Sequence, residues 1–332
     1  INTTGRVGNF STTYYSSPTS VVSTKIFTGV NSGDNHSLGL DYSGGVWCWG
    51  RNNEGQLGVE DTNNISSPVA TSIAGNTFVT VSGLKNSSYG IDFSGYAWAW
   101  GDNSQGDLGN DTTDLTSSPV SVVGNRQFVA MKGPFAIDTN NALWAWGDNS
   151  AGQLGDDSTN PKSSPVQVLG GHTDYFAVSA GESHAVMITN EGWVRGMGDN
   201  TYGQVGDDSV ISRSSPVSVV TTNRFVSIVS GDHHNLALDR YGRVWDWGDN
   251  QYGQLVLLDA DNRSTLVIVP ADNRKFVLIG AKRSTSIAIS DDGIAWCWGY
   301  GLNGEIGDGN AVHRSSLTLV AGPNTYKTRK VF

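Results

Sequence analysis

Residues 143–158 read LWAWGDNSAGQLGDDS. Taken alone, the stretch offers three kinds of site. The aspartates suit a metal, the glycines suit a phosphate, and Trp144 and Trp146 suit a sugar or a base. The rest of the chain argues otherwise. W-x-W-G recurs at residues 47–50, 98–101, 144–147, 245–248 and 296–299, with a degenerate copy in Arg195-Gly196-Met197-Gly198. The closing glycines are spaced by 51, 46, 51, 50 and 51 residues. Self-similarity at that period along a whole chain marks a repeat architecture.

The remainder of the unit is equally regular. Five residues after each closing glycine comes G-x-[LVI]-G, as at residues 55–58, 106–109, 152–155, 203–206 and 304–307; the copy at residues 253–256 ends in Val256. A further copy, Gly5-Arg6-Val7-Gly8, has no W-x-W-G before it. S-S-P-V or a relative follows, then an alternating run opened by an aromatic, then G-x-x-H-x-L-x-L-D as in residues 231–239. Each unit is thus four short period-2 segments separated by turn residues, which is the pattern of antiparallel strands. Four strands in ~50 residues, repeated, predict the blades of an all-β propeller.

Composition narrows the function. The 332 residues carry 21 Lys+Arg against 31 Asp+Glu, a net charge of −10. The one short basic cluster is Lys327, Arg329 and Lys330. A polyanion needs clustered cations, so no nucleic-acid partner is expected. No apolar run approaches the ~20 residues of a membrane helix, so no membrane insertion is expected. Cys48 and Cys297 sit at equivalent points of non-adjacent units, too far apart for a disulfide.

The order [VL]-W-x-W-G-x-N-x-x-G-Q-L-G, S-S-P-V, G-x-x-H-x-L-A-L resembles the regulator of chromosome condensation repeat family over nearly the whole chain, closest in style to bacterial surface or bacteriophage members. The resemblance implies one seven-bladed propeller over residues 1–332. Six units are complete, so the closing blade is expected to be shared by residues 1–24 and 317–332; six full blades plus extra strands is the alternative. An incomplete blade offers an edge on which another chain could assemble.

Each motif has a structural reading. The ten residues Trp47, Trp49, Trp98, Trp100, Trp144, Trp146, Trp245, Trp247, Trp296 and Trp298 are expected to pack blades, because a buried Trp is worth on the order of 4–6 kcal/mol. The residue between each pair is small except Asp246, which is expected to face the central channel. The G-D-N and G-D-D aspartates lack the dense spacing of a calcium loop and read as turn builders. G-Q-L-G lacks the lysine and the following helix of a phosphate loop. His36, His184 and His234 share one repeat position and read as structural hydrogen bonders. No metal, cofactor or catalytic set is expected, and the chain reads as a non-enzyme.

Function is sought where copies differ. Val256, Leu257 and Leu258 place apolar side chains on a loop, and Phe135 stands where unit three loses its G-x-x-H turn. Tyr14, Tyr15, Tyr202 and Tyr252 lie on turns. These eight are the expected partner-binding residues, aromatic and apolar groups being favoured at interfaces. The best-known member of the family is a nucleotide-exchange factor for the small GTPase Ran that also binds chromatin. The acidic charge and Ser/Thr/Asn/Gly-rich surface instead favour an extracellular, cell-surface or virion-exposed binding scaffold, for a protein or a surface glycan. An intracellular exchange factor or regulatory interaction propeller, and a carbohydrate-binding propeller, are the alternatives.

Overall fold

The computed structural model describes residues 2–73, 75, 77–170 and 174–322. Among them, twenty-four strands form six antiparallel sheets of four. Blade 1 is Phe27–Ser32, His36–Asp41, Val46–Gly50 and Ile65–Ala70; blade 2 opens with Phe78–Leu84, blade 3 with Phe128–Lys132, blade 4 with Tyr175–Ala180, blade 5 with Phe225–Ser230 and blade 6 with Phe276–Lys282. The repeat grammar maps directly. The aromatic-led run is the first strand, H-x-L-x-L the second, W-x-W-G the third and S-S-P-V the fourth.

The described residues form six full blades, as the alternative expectation had it, and no seventh blade is found among them. Arg314–Leu319 is the fourth strand of blade 6, with Leu319 paired to Trp296, so residues 317–319 do not belong to a separate closing blade. The last part of the expected closing blade, residues 323–332, lies outside the described residues. Residues 17–22 belong to no sheet, and no third strand lies beside them among the described residues.

The two tryptophans of each pair do different work. The first ring is half-buried, and its indole N–H donates to the acidic end of the second strand: Trp47 to Asp41, Trp98 to Asp92 and Trp144 to Asp138, each at 2.9 Å. Arg126 stacks over Trp144 and Arg274 over Trp296, closing the exposed side. The second ring is buried, fully so at Trp100, Trp146, Trp247 and Trp298. It slides beneath the G-Q-L-G loop of the preceding unit. The Trp146 indole donates to Asp107 O (3.0 Å), Trp247 to Gln204 O (2.9 Å) and Trp298 to Gln254 O (2.8 Å). The loop must lie flat on the ring: a Cβ on Gly109 (φ 63°) would meet the Trp146 Nε1 at 2.8 Å.

The loop is braced from within by the Asn of G-D-N. Asn149 and Asn200 are fully buried. The Asn149 Oδ1 accepts from Leu154 N (3.0 Å), and its amide donates to Ser158 O and Asn160 O. The histidines staple neighbouring blades. The Nε2 of His36 meets Ser88 Oγ of blade 2 at 2.8 Å, His184 meets Asn235 Oδ1 at 2.8 Å and His234 meets Ser286 Oγ at 2.7 Å.

Asp246 departs from its expected place. It is fully buried at the small-residue position of blade 5 rather than facing the channel, and neither carboxylate oxygen has a hydrogen-bond partner. Desolvation raises its pKa well above the carboxylate range. Cys48 and Cys297 are buried and free.

Two outcomes test this packing. Trp146→Ala removes a fully buried ring and should cost about 3–5 kcal/mol in chemical denaturation, whereas half-exposed Trp144→Ala should cost clearly less. Burial lowers His36 and His234 to about 3 and His184 to about 4. An unfolded imidazole titrates near 6.5. The histidines therefore favour the fold fully above pH 6.5, and this is lost as pH falls from there toward 4 and then 3. Stability measured from pH 7 to pH 4 should fall, and His234→Gln should reduce the fall.

Candidate functional site

One face of the ring carries the turns between first and second strands together with the G-Q-L-G loops. Consecutive turns are stitched by backbone hydrogen bonds: Asp34 N to Lys85 O, Glu182 N to Asp232 O and Asp232 N to Arg283 O, at 2.9, 3.0 and 2.9 Å. These turns thus place five charged residues around the mouth of the channel. Lys132 and Lys282, at the ends of their first strands, add two more.

Between blade 6 and blade 1 the stitching changes character. The side chains of blade 6 reach across instead. Arg283 Nη2 donates to Asp34 O and Asn35 Oδ1, both at 3.2 Å, and Lys282 Nζ pairs with Asp34 at 3.0 Å. Arg6, from the amino-terminal segment, donates to the same Asp34 carbonyl at 2.6 Å. Burial works against the charge of Asp34, but Lys282 and Arg283 hold its pKa below the ordinary value. Beneath this bridge lies a cleft of about 740 Å³ whose lining includes Arg6, Asp232, Tyr252, Lys282, Arg283 and Tyr300. Its rim is aromatic. Tyr252 and Tyr300 meet edge to face at 5.1 Å between ring centres, and His313 lies 4.9 Å from each.

Lys132 faces the channel, with its Nζ 3.2 Å from Asn31 Oδ1. Burial, and secondarily Lys282, lower its pKa to about 8. No cluster of three or more His, Cys, Asp or Glu able to hold a metal occurs among the described residues.

The expected contact residues are scattered. Tyr252 lines the cleft, and Tyr202 sits on the same face, its ring 5.1 Å from that of His233. Tyr14 and Tyr15 are exposed on the amino-terminal segment. The apolar loop splits: Leu258 is fully exposed, Leu257 is half-buried, and Val256 is buried against the blade 6 core that includes Phe276 and Trp298. Val256 is thus core, held at φ 55° where sister loops have glycine. Phe135 is also withdrawn as a contact residue; the short turn of blade 3 directs it into a cluster with Leu154, Met187 and Met197. Sequence reading missed Arg6, Asp34, Lys282, Arg283, Tyr300 and His313. The signal lay in the turn position that carries Asp34, Lys85, Glu182, Asp232 and Arg283 in five of the six units.

Two family models match, both described as the regulator of chromosome condensation (RCC1) repeat. One covers residues 27–56, 177–204 and 225–254, the other residues 43–83, 140–188 and 191–238. The matched segments together span more than half of the chain. The chain belongs to the RCC1 repeat family. Among relatives of this RCC1-repeat propeller, the RCC2 homolog of Xenopus laevis is 36% identical over 94 residues, 28% of this chain and 18% of that protein. Human RCC2 is 33% identical over the same shares. The match thus spans under a fifth of these relatives' length. Two solved structures share the fold: human WBSCR16 (TM-score 0.81, 18% identity, covering 91% of this chain and 83% of that one) and yeast RCC1 (Prp20) bound to Kap60 (TM-score 0.78, 21% identity, covering 89% and 75%).

These findings correct the expected location. The RCC2 relatives, and the yeast protein Prp20p studied for binding to Gsp1p and histones, are intracellular proteins. The extracellular, cell-surface or virion setting is therefore withdrawn. The comparisons carry the family, not the finer likeness to bacterial surface or bacteriophage members.

The lowered pKa of Lys132 has a chemical readout. Near pH 8 about half of its amine is free, against under 1% for an ordinary lysine. Brief acetylation at pH 8 followed by peptide mass spectrometry should modify Lys132 ahead of exposed Lys275, and Lys282→Gln should slow it by raising the Lys132 pKa.

Proposed function

We propose that this chain is a regulatory protein-interaction propeller of the RCC1 type. It presents the face bearing the channel-mouth charges to a protein partner inside the cell, anchored in the cleft between blade 6 and blade 1. One observation carries the reading: Arg283, Tyr252 and Tyr300 line a cleft of about 740 Å³, with His313 packed against both tyrosine rings. Arginine and tyrosine are the residues that dominate binding energy at protein interfaces. Tyr202 and Leu258 extend the contact surface on either side.

The partners named for yeast RCC1 and Prp20p are proteins: Kap60, Gsp1p and histones. They supply the first partner classes to try. The net charge of −10 suits a basic partner such as a histone. A Gsp1p-type small GTPase would make the chain an exchange regulator, whose own groups perform no covalent step.

The test is a binding titration with purified histones, a Gsp1p-type GTPase and a Kap60-type carrier. For the GTPase, release of bound nucleotide is followed as well. Arg283→Glu and Tyr300→Ala should each weaken the productive complex at least tenfold with an unchanged circular dichroism spectrum. Equal binding by wild type and both variants would remove the cleft. Failure of the wild type to bind any of the three classes would overturn the reading.

A further inference from the structure

We propose that blade 4 carries a binding pocket for an indole ring, supplied by a small molecule or by a tryptophan of a partner chain. The pocket is separate from the charged cleft. It lies on the opposite face of the propeller, where the second strands end at Asp41, Asp92, Asp138, Thr189, Asp239 and Ser290.

The other five blades define what this position holds. The first tryptophan of W-x-W-G donates its indole N–H to the last residue of the second strand. A cation stacks on four of the five rings: Lys25 on Trp47, Arg126 on Trp144, Arg243 on Trp245 and Arg274 on Trp296. Blade 6 shows that the acceptor need not be a carboxylate. Trp296 donates to Ser290 Oγ at 3.2 Å, with Arg274 4.4 Å from the ring centre. The constant requirement is a ring between an oxygen acceptor and a cation.

Blade 4 keeps the acceptor and the cation and loses the ring. Buried Thr189 stands at the acceptor position, and Arg195 takes the place of the tryptophan. Blade 5 reads Arg243-Val244-Trp245 where blade 4 reads Trp193-Val194-Arg195, so ring and cation have changed places. Trp193 stands at the margin, 36% exposed, with Arg224 stacked on it. Thr189 Oγ1 accepts from Trp193 N (3.2 Å), as Asp41 Oδ1 accepts from Gly45 N (2.9 Å). A hydroxyl oxygen has two lone pairs, so a second donor can be received. The half-buried Arg195 guanidinium forms no hydrogen bond or ion pair among the described residues. Thr189, Trp193, Arg195 and buried Val219 line a cavity of about 490 Å³, in the size range of small-molecule sites. The other substitution of this blade opens no such space, because Met197 is fully buried against Gly155.

The chemistry of the occupant follows. Asp174 and Glu191 also line the cavity, so an anion is repelled there, while Arg195 repels a cation. A neutral aromatic ring with an N–H donor meets neither penalty. It stacks on the Arg195 guanidinium, donates to Thr189 Oγ1 and covers Val219, which reproduces with a ligand the arrangement that Ser290, Trp296 and Arg274 make within blade 6.

The probes are fluoroindole, followed by fluorine NMR, and N-acetyl-tryptophanamide, followed by calorimetry, each titrated into the full chain. Fluoroindole should bind saturably at one to one. Binding of the amide as well assigns the pocket to a partner's tryptophan, and its exclusion assigns it to a free small molecule. Arg195→Ala should weaken binding at least fivefold, and Tyr300→Ala, in the charged cleft, should leave it unchanged. Arg195→Trp with Thr189→Asp rebuilds the pair found in blades 1, 2, 3 and 5. This double variant should abolish binding and raise the midpoint of thermal unfolding. No saturable binding to wild type, binding that survives the double variant, or a lower unfolding midpoint in it would each overturn the proposal.

Discussion

The structure depends on one insertion: the second tryptophan of each W-x-W-G lies beneath the G-Q-L-G loop of the unit before it. That contact joins hydrophobic burial to a directed hydrogen bond, from the indole N–H to a loop carbonyl such as Gln204 O. It requires glycine where the loop meets the ring, and it requires the loop to be rigid, which the buried Asn of G-D-N provides. Loop, ring and Asn therefore recur together. Where the tryptophan is replaced, as by Met197, the loop glycine Gly155 rests on the Met sulfur instead. A flexible thioether fills the slot with little demand on shape.

The repeat was legible in the sequence because its constraints are local. The alternation and the turn glycines specify strands, and the 51-residue spacing specifies blades. The His position read as a structural hydrogen bonder, and the structure supplies partners in Ser88, Asn235 and Ser286. The blade count was less legible. Gly5-Arg6-Val7-Gly8 and Ser16-Ser17-Pro18 look like parts of a unit, and in space they act as one toward both neighbours. No sequence pattern says whether such parts acquire inner strands. That depends on which chain segments meet, a long-range property.

The site was legible only in part, for the same reason. Tyr252 stood out as a turn aromatic, but Arg6, Arg283 and Tyr300 come from positions far apart in the chain. Val256 and Phe135 failed as contact residues because local departure from a repeat was read as exposure. Both departures are instead absorbed by repacking, Val256 beneath blade 6 and Phe135 among Leu154, Met187 and Met197. Asp246 shows the converse: a polar residue at a core position stayed in the core, where desolvation pushes its pKa well above the ordinary value.

The amino-terminal half-unit also sets how the ring comes apart. In an unbroken propeller every junction is equivalent, and opening any one costs a full apolar interface. Among the described residues five junctions have that interface, and the sixth is held by a clasp of salt-bridged turns and a loop over Trp49. Stability in a repeat array is close to a sum of unit and nearest-neighbour terms, so the chain behaves as an open stack whose two ends are tied together. Local opening begins at the tie, and the fraying ends are blade 1 with its leader and blade 6. Blades 3 and 4, farthest from it, are the last to lose amide protection.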